Sequence, residues 1–352
     1  MIMKTAIKII LITGVFILAL IVLTYCPGPG GNENNVKLKP KNVTINKFER
    51  KTTHINKDFK PVRGFTHQLI RPIIMKSYRD ELFICDYGDM NIIRIDTSGK
   101  VKNIIGKGRG KGPGEFTQIM DFSFYDDSIF VLDLNKMMSM EFTLDGEYLR
   151  SISLENNTMR LVSYKSGFIT LFMGGENLFQ HLEKQGNEIS RFGNFIENQR
   201  QNTLSLGGII EPINGDGFMY APMYASIVYY FDYKGNLKSY TKLPAGQSFS
   251  SSIKSSDDDN KRIMAPDPTY KTFALNQTPE NIYHLVYKQE GDNVPKSEAP
   301  EHRALYLNVI DKASREYVKS YQFHEYIEEP VVIDRKIYAL KDDTSLVYHN
   351  LE

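Results

Sequence analysis

The chain has 352 residues, with 43 Lys and Arg against 42 Asp and Glu and a formal net charge of +1. That length can bury one large β domain or two ordinary ones, and the balanced charge excludes a bulk electrostatic pull toward nucleic acid. Tyr (21) and Phe (20) are abundant while Trp is absent, a composition suited to pleated, half-buried surfaces.

At the N-terminus, Lys4 and Lys8 precede an uncharged apolar run from Ile9 to Tyr25. The run is short for a membrane span and slightly long for the apolar part of a secretory signal. Cys26 follows, and then the flexible stretch "PGPGGNENN". Anchor, tether and domain in this order resemble a bacterial lipoprotein, in which Cys26 is acylated after cleavage. Tyr25 departs from the small residue usual before such a cysteine, so an uncleaved transmembrane anchor is the competing reading. Residues 1–26 are expected to be a signal or membrane anchor, 27–41 a flexible linker and 42–352 the folded domain. The expected location is the bacterial cell envelope, membrane-anchored, with the domain outside the cytoplasm. The other cysteine, Cys85, lies in the apolar stretch "ELFICDY" and reads as a small buried hydrophobe, leaving no disulfide framework in the body of the chain.

Beyond the linker the chain repeats. "LFICDYGDMNIIRIDTSGKVKNII" (82–105) and "IFVLDLNKMMSMEFTLDGEYLRSI" (129–152) share an apolar strand ending in Asp, a second strand, a Gly turn and a third strand. Asp86 stands thirteen residues before Gly99, as Asp133 does before Gly146. Weaker copies place their turns at Gly186 and Gly235, another carries a polar insertion around Glu290–His302, and the last, "KIYALKDDTSLVYHNLE", stops after two strands. Short strands joined by Gly, Asp and Asn turns at a period of about 40 to 50 residues signal an all-β, six-bladed β-propeller. The truncated last unit lacks an outer strand. The alternating stretch "NVTINKFERKTT" (42–53) is expected to supply it and so close the ring through the N-terminus.

Between the first two copies lies "GKGRGKGPGEF" (106–116). It lacks the Gly-Lys-Ser/Thr ending of a phosphate loop and the helix that would follow one. Its place after the outer strand of one unit and before the inner strand of the next makes it a blade-to-blade connection. Glycines there permit positive φ, Pro113 stiffens the turn, and Phe116 is expected to drop into the seam. Gly112, Pro113, Gly114, Glu115 and Phe116 in this position resemble the NHL-type six-bladed propellers (a TolB-like architecture), especially bacterial cell-envelope propellers. The resemblance is strongest over residues 80–150. It implies a binding or interaction module, although some NHL-like propellers are lyases that hold a metal through channel histidines.

No residue here matches that histidine pattern. The seven histidines lack metal-ligand spacing, "SSDDDNKR" lacks the alternation of a calcium loop, and no G-x-S-x-G elbow is present. Neither a metal, a cofactor nor a catalytic constellation is therefore expected. Aligning the units places Arg71, Asp121, Arg160, Glu211 and Glu328 near the starts of the innermost strands, where they form a candidate ligand ring at the channel mouth. Arg109 and Lys111 are secondary candidates. The expected function is binding of a peptide, glycan or protein partner, with the membrane reached through the N-terminal anchor and no nucleic acid involved. The alternative is a channel-sited lyase or hydrolase acting on a polar substrate.

Overall fold

The computed structural model describes residues 51–55, 58–172, 177–193, 206–213, 215, 217–244, 270–289, 303–323, 325–342 and 344–351, and the structural statements below concern these. The anchor segment, Cys26, the linker and residues 42–50 of the expected closing strand lie outside them.

Six sheets follow one another along the chain, five of them as complete antiparallel meanders. Their innermost strands are Pro72–Tyr78, Ile119–Tyr125, Thr158–Tyr164, Gly208–Ile213, Tyr270–Gln277 and Glu328–Ile333. These strands neighbour one another from the second blade round to the sixth and back to the first. The first and second blades meet through a shared apolar cluster. The molecule is the expected six-bladed propeller.

The core is distributed over six seams, each a cluster with members from two adjacent blades. Between the first and second blades, Phe83 and Ile92 meet Phe122, Val131 and Phe142. Between the second and third, the Phe130 and Phe168 rings lie 5.2 Å apart, edge to face. An inner or middle strand buried on both faces explains runs such as "GFITLF" (167–172), in which every residue is buried. Cys85 is a free, fully buried thiol in this packing, and burial pushes its pKa well up.

Repeated polar residues hold the turns. Asp86 accepts the backbone N–H groups of Ile70 (2.7 Å), Arg71 (2.8 Å) and Gly88 (2.9 Å). Asp133 does the same for Thr117 (2.6 Å) and Lys136 (3.1 Å). Each thereby ties the entry of its blade's inner strand to the loop after the second strand. The matching turn glycines Gly99, Gly146, Gly186 and Gly235 all have φ between 86° and 95°, a conformation costly for any side chain. The glycine stretch is a self-bonded loop. Lys107 N–H donates to Gly114 O at 2.8 Å and Phe116 N–H to Gly108 O at 2.9 Å, while the Glu115 carboxylate accepts Gly112 N–H at 2.7 Å. Phe116 is fully buried in the first seam, 5.5 Å from Phe142, as its place in the sequence predicts.

The N-terminal region closes the ring, but not with the stretch expected. Lys60–Pro61 pairs antiparallel with the last strand, Lys60 opposite Tyr348 and Pro61 opposite Val347, and Val62 N–H donates to Leu346 O at 3.0 Å. Thr52–Ile55, at the end of the expected segment, instead adds a parallel strand to the fifth blade, with Thr52 opposite Ser320. The physical reason lies in the flanking side chains. Phe59 fills the seam between the fifth and sixth blades, and Val62 the seam between the sixth and the first. Pro61 is tolerated because an outermost strand has one edge with no ladder to serve.

Candidate functional site

Each innermost strand points a polar side chain toward the axis. Lys76 of the first blade lies between two carboxylates, 2.9 Å from Asp121 of the second and 2.8 Å from Glu211 of the fourth. Arg160 of the third blade donates to Met120 O at 3.0 Å, and Asp121 also accepts Leu161 N–H at 3.0 Å. The fifth blade contributes Asn276, which donates to Ser77 Oγ (3.0 Å) and accepts Val332 N–H (2.9 Å), and Gln277, which donates to Pro212 O. Glu329 comes from the sixth. All of them line one cavity of about 460 Å³.

Local backbone irregularity aims these groups. The inner strands carry register shifts at Ile119/Asp121, Thr158/Arg160 and Glu328/Val331. A bulge re-aims the residue beside it, and Asp121 and Arg160 each stand at one. Glu329 has φ 47° although it is not glycine, and it precedes Pro330. A left-handed residue of this kind costs roughly 1–3 kcal/mol and persists only where the surroundings enforce it.

Burial is the largest influence on Lys76, Glu211 and Glu329. It pulls the Lys76 ammonium down, but the charges and hydrogen bonds of Asp121 and Glu211 outweigh it and leave the pKa raised. It pushes Glu211 up against the opposing attraction of Lys76. Glu329 is pushed up to about 7, against the pull of Arg160, the Met75 N–H and Lys76, with Glu328 adding to the rise. Among the described residues, no three His, Cys, Asp or Glu side chains converge as metal ligands would.

Of the five ring candidates, Asp121, Arg160 and Glu211 line the cavity; Arg71 and Glu328 do not. Arg71 falls one residue before its strand, where its guanidinium lies 5.0 Å over the Tyr87 ring. Glu328 is displaced by the bulge, which turns Glu329 inward instead; the Glu328 carboxylate accepts the Tyr326 hydroxyl at 2.9 Å. Arg109 and Lys111 are on the connecting loop, with the Arg109 guanidinium 5.6 Å from the centre of the same Tyr87 ring. Sequence reasoning missed Lys76, Asn276, Gln277 and Glu329. A usable signal existed for Lys76, the lone charge in the inner-strand sequence "PIIMKSY".

A family model described as a 6-bladed β-propeller, DUF5128, matches residues 68–330. The chain belongs to this family. NHL is therefore an approximate label for the architecture. A crystal structure of a Bacteroides fragilis protein described as exported superposes with a TM-score of 0.58 at 14% identity, covering 86% of this chain and 99% of that one. A DUF4221 family member from Bacteroides vulgatus gives 0.55 at 10% identity, covering 84% and 98%. At these identities the likeness is one of fold. No curated protein matches the sequence.

Proposed function

We propose that the protein is an exported, envelope-held propeller that binds a polar group of a peptide, glycan or protein partner in its central channel. One observation carries this reading. All six innermost strands deliver an ionic or amide side chain to the same cavity. Apolar residues would fill that space at lower cost in stability, because buried charges seldom repay their desolvation. Export is supported by the signal-like start of the chain and by the fold's occurrence in a protein described as exported.

Protein isolated from its own envelope fraction tests the channel. A small molecule or partner released from the wild type on denaturation should be missing, or strongly reduced, from Glu211→Gln, which keeps its shape but loses a charge next to Lys76. Identical profiles from both proteins would overturn the channel reading. A second reading, the channel-sited lyase or hydrolase, has one observation in its favour: a carboxyl titrating near 7, as Glu329 does, suits general acid–base work at neutral pH.

Anchoring has its own test. If Cys26 is acylated, Cys26→Ala should abolish lipid labelling and release or misprocess the protein, since stable anchoring needs more than a single acyl chain. A mature N-terminus still at Met1 would instead identify an uncleaved anchor.

A further inference from the structure

The charges around the cavity do not balance. Apart from the exposed Arg79, Asp80 and Asp334, which also line the cavity, three carboxylates, Asp121, Glu211 and Glu329, face two cations, Lys76 and Arg160. Lys76 is shared by Asp121 and Glu211, and Arg160 spends one N–H on Met120 O. Among the described residues Glu329 forms no ion pair, so it is the surplus carboxylate. The backbone nevertheless holds it inward in a left-handed conformation immediately before a proline, which restricts it further. A second acceptor waits in the same lining. Gln277 donates through Nε2 to Pro212 O, which fixes the amide's orientation, and its Oε1 is left buried with no donor. Both features call for the same missing partner, a positively charged hydrogen-bond donor. Among the described residues no three His, Cys, Asp or Glu side chains gather as metal ligands, and the lining's apolar members Ile73, Phe124 and Val331 suit a carbon chain.

Resting on the channel-binding reading above, we propose that the ligand is an organic cation, a primary ammonium or guanidinium on an aliphatic stem, whose charge settles against Glu329. The cation is carried either by a free amine or by a Lys or Arg side chain of a partner peptide. Below about pH 7 it takes the place of the proton that neutralises this carboxyl, so binding there releases a proton. The charged and titratable groups facing Glu329 are Lys76 and Cys85 of the first blade, Arg160 of the third and Glu328 on its own strand, with Asp121 and Glu211 across the cavity. Among them Glu329 is pushed up to about 7 by its burial.

Calorimetric titration and thermal shift with cadaverine and agmatine, and with the blocked amides of lysine and arginine, test the inference. Glutarate and a neutral diol of matching length serve as controls. The cationic probes should bind about tenfold more tightly at about pH 8 than at about pH 6, because they stay charged while Glu329 does not. A preference for cadaverine and agmatine identifies a free amine; a preference for the blocked amides identifies a partner's side chain. Glu329→Gln, checked for an unchanged fold by circular dichroism, should lose that pH dependence and bind at least about tenfold more weakly. Equal binding of cations by Glu329→Gln, or no response of the wild type to any cationic probe, overturns the proposal. Binding of glutarate or the diol that is lost in Glu211→Gln also overturns it, while leaving the channel as the binding site.

Discussion

The seams between blades and the channel inside them are built from the same inner strands, yet they follow opposite rules. In the first seam Phe116, Phe122 and Phe142 are almost wholly removed from water in a cluster of apolar side chains, though Lys76 Nζ lies 5.6 Å over the Phe122 ring. A few ångströms inward, Asp121 is as deeply buried but is held by an ammonium and a backbone N–H. Burying each seam ring is worth about 1.5–3 kcal/mol, whereas a desolvated ion pair does little better than break even. The ring's stability and the make-up of its channel are thus separable, and substitutions in the two places should behave differently.

The largest effect should come from opening the ring. A chain beginning at Gly64 lacks Phe59, Val62 and the Lys60–Pro61 strand, which leaves the last sheet with a bare edge and two seams short of a plug. It should lose cooperative thermal unfolding by circular dichroism. Among the described residues a chain beginning at Asp58 forfeits only the added strand on the fifth blade, and it should still melt cooperatively; equal behaviour of the two chains would show that the ring does not close here. Within a seam, Phe116→Ala should destabilise by about 3–5 kcal/mol in denaturant titration, the range for emptying a buried aromatic site.

The seams were far more legible in the sequence than the channel. Asp86 and Asp133, each spaced thirteen residues from its turn glycine, mark strand ends directly, because a buried carboxylate and a positive φ each admit few residue types. Phe116 could be placed because a loop of glycines needs one apolar anchor. The channel depends instead on which way a residue points, and a single bulge reverses that. Glu328 and Glu329 are indistinguishable in sequence, and the shift before Val331 decides between them. Arg71 was misplaced in the same way, one residue before a strand whose start no periodicity marks. The closing strand was missed because two paired residues, one a proline, carry no alternation, while Val43 and Ile45 do.

In the channel, Lys76→Met keeps the bulk of the side chain but leaves Asp121 and Glu211 facing each other unneutralised. Breaking a fully buried pair costs about 3–5 kcal/mol; here, with 15% of Lys76 and 17% of Glu211 still exposed, about 2 kcal/mol is expected near neutral pH. The deficit should shrink as the solution is acidified and the carboxylates take up protons. A constant deficit across pH, measured by denaturant titration, would mean that Lys76 contributes by packing alone.

An effect of the opposite sign belongs to Glu329. Its carboxyl titrates at about 7 in the folded protein against an ordinary 4.5, so the folded state holds this proton more tightly than the unfolded chain does. The stabilisation from that proton is complete below about pH 4.5 and fades as pH rises toward 7, because ionising the group in the channel costs more than ionising it in water. Glutamine cannot ionise. Glu329→Gln should therefore melt with the wild type, or slightly below it, in acid, and above it once the pH passes 7. A seam residue could not behave this way, since removing a seam side chain lowers the melting temperature at every pH. If Glu329→Gln instead proves less stable than the wild type in alkaline solution, Arg160 and Lys76 are holding the carboxylate charged, and no surplus charge awaits a ligand.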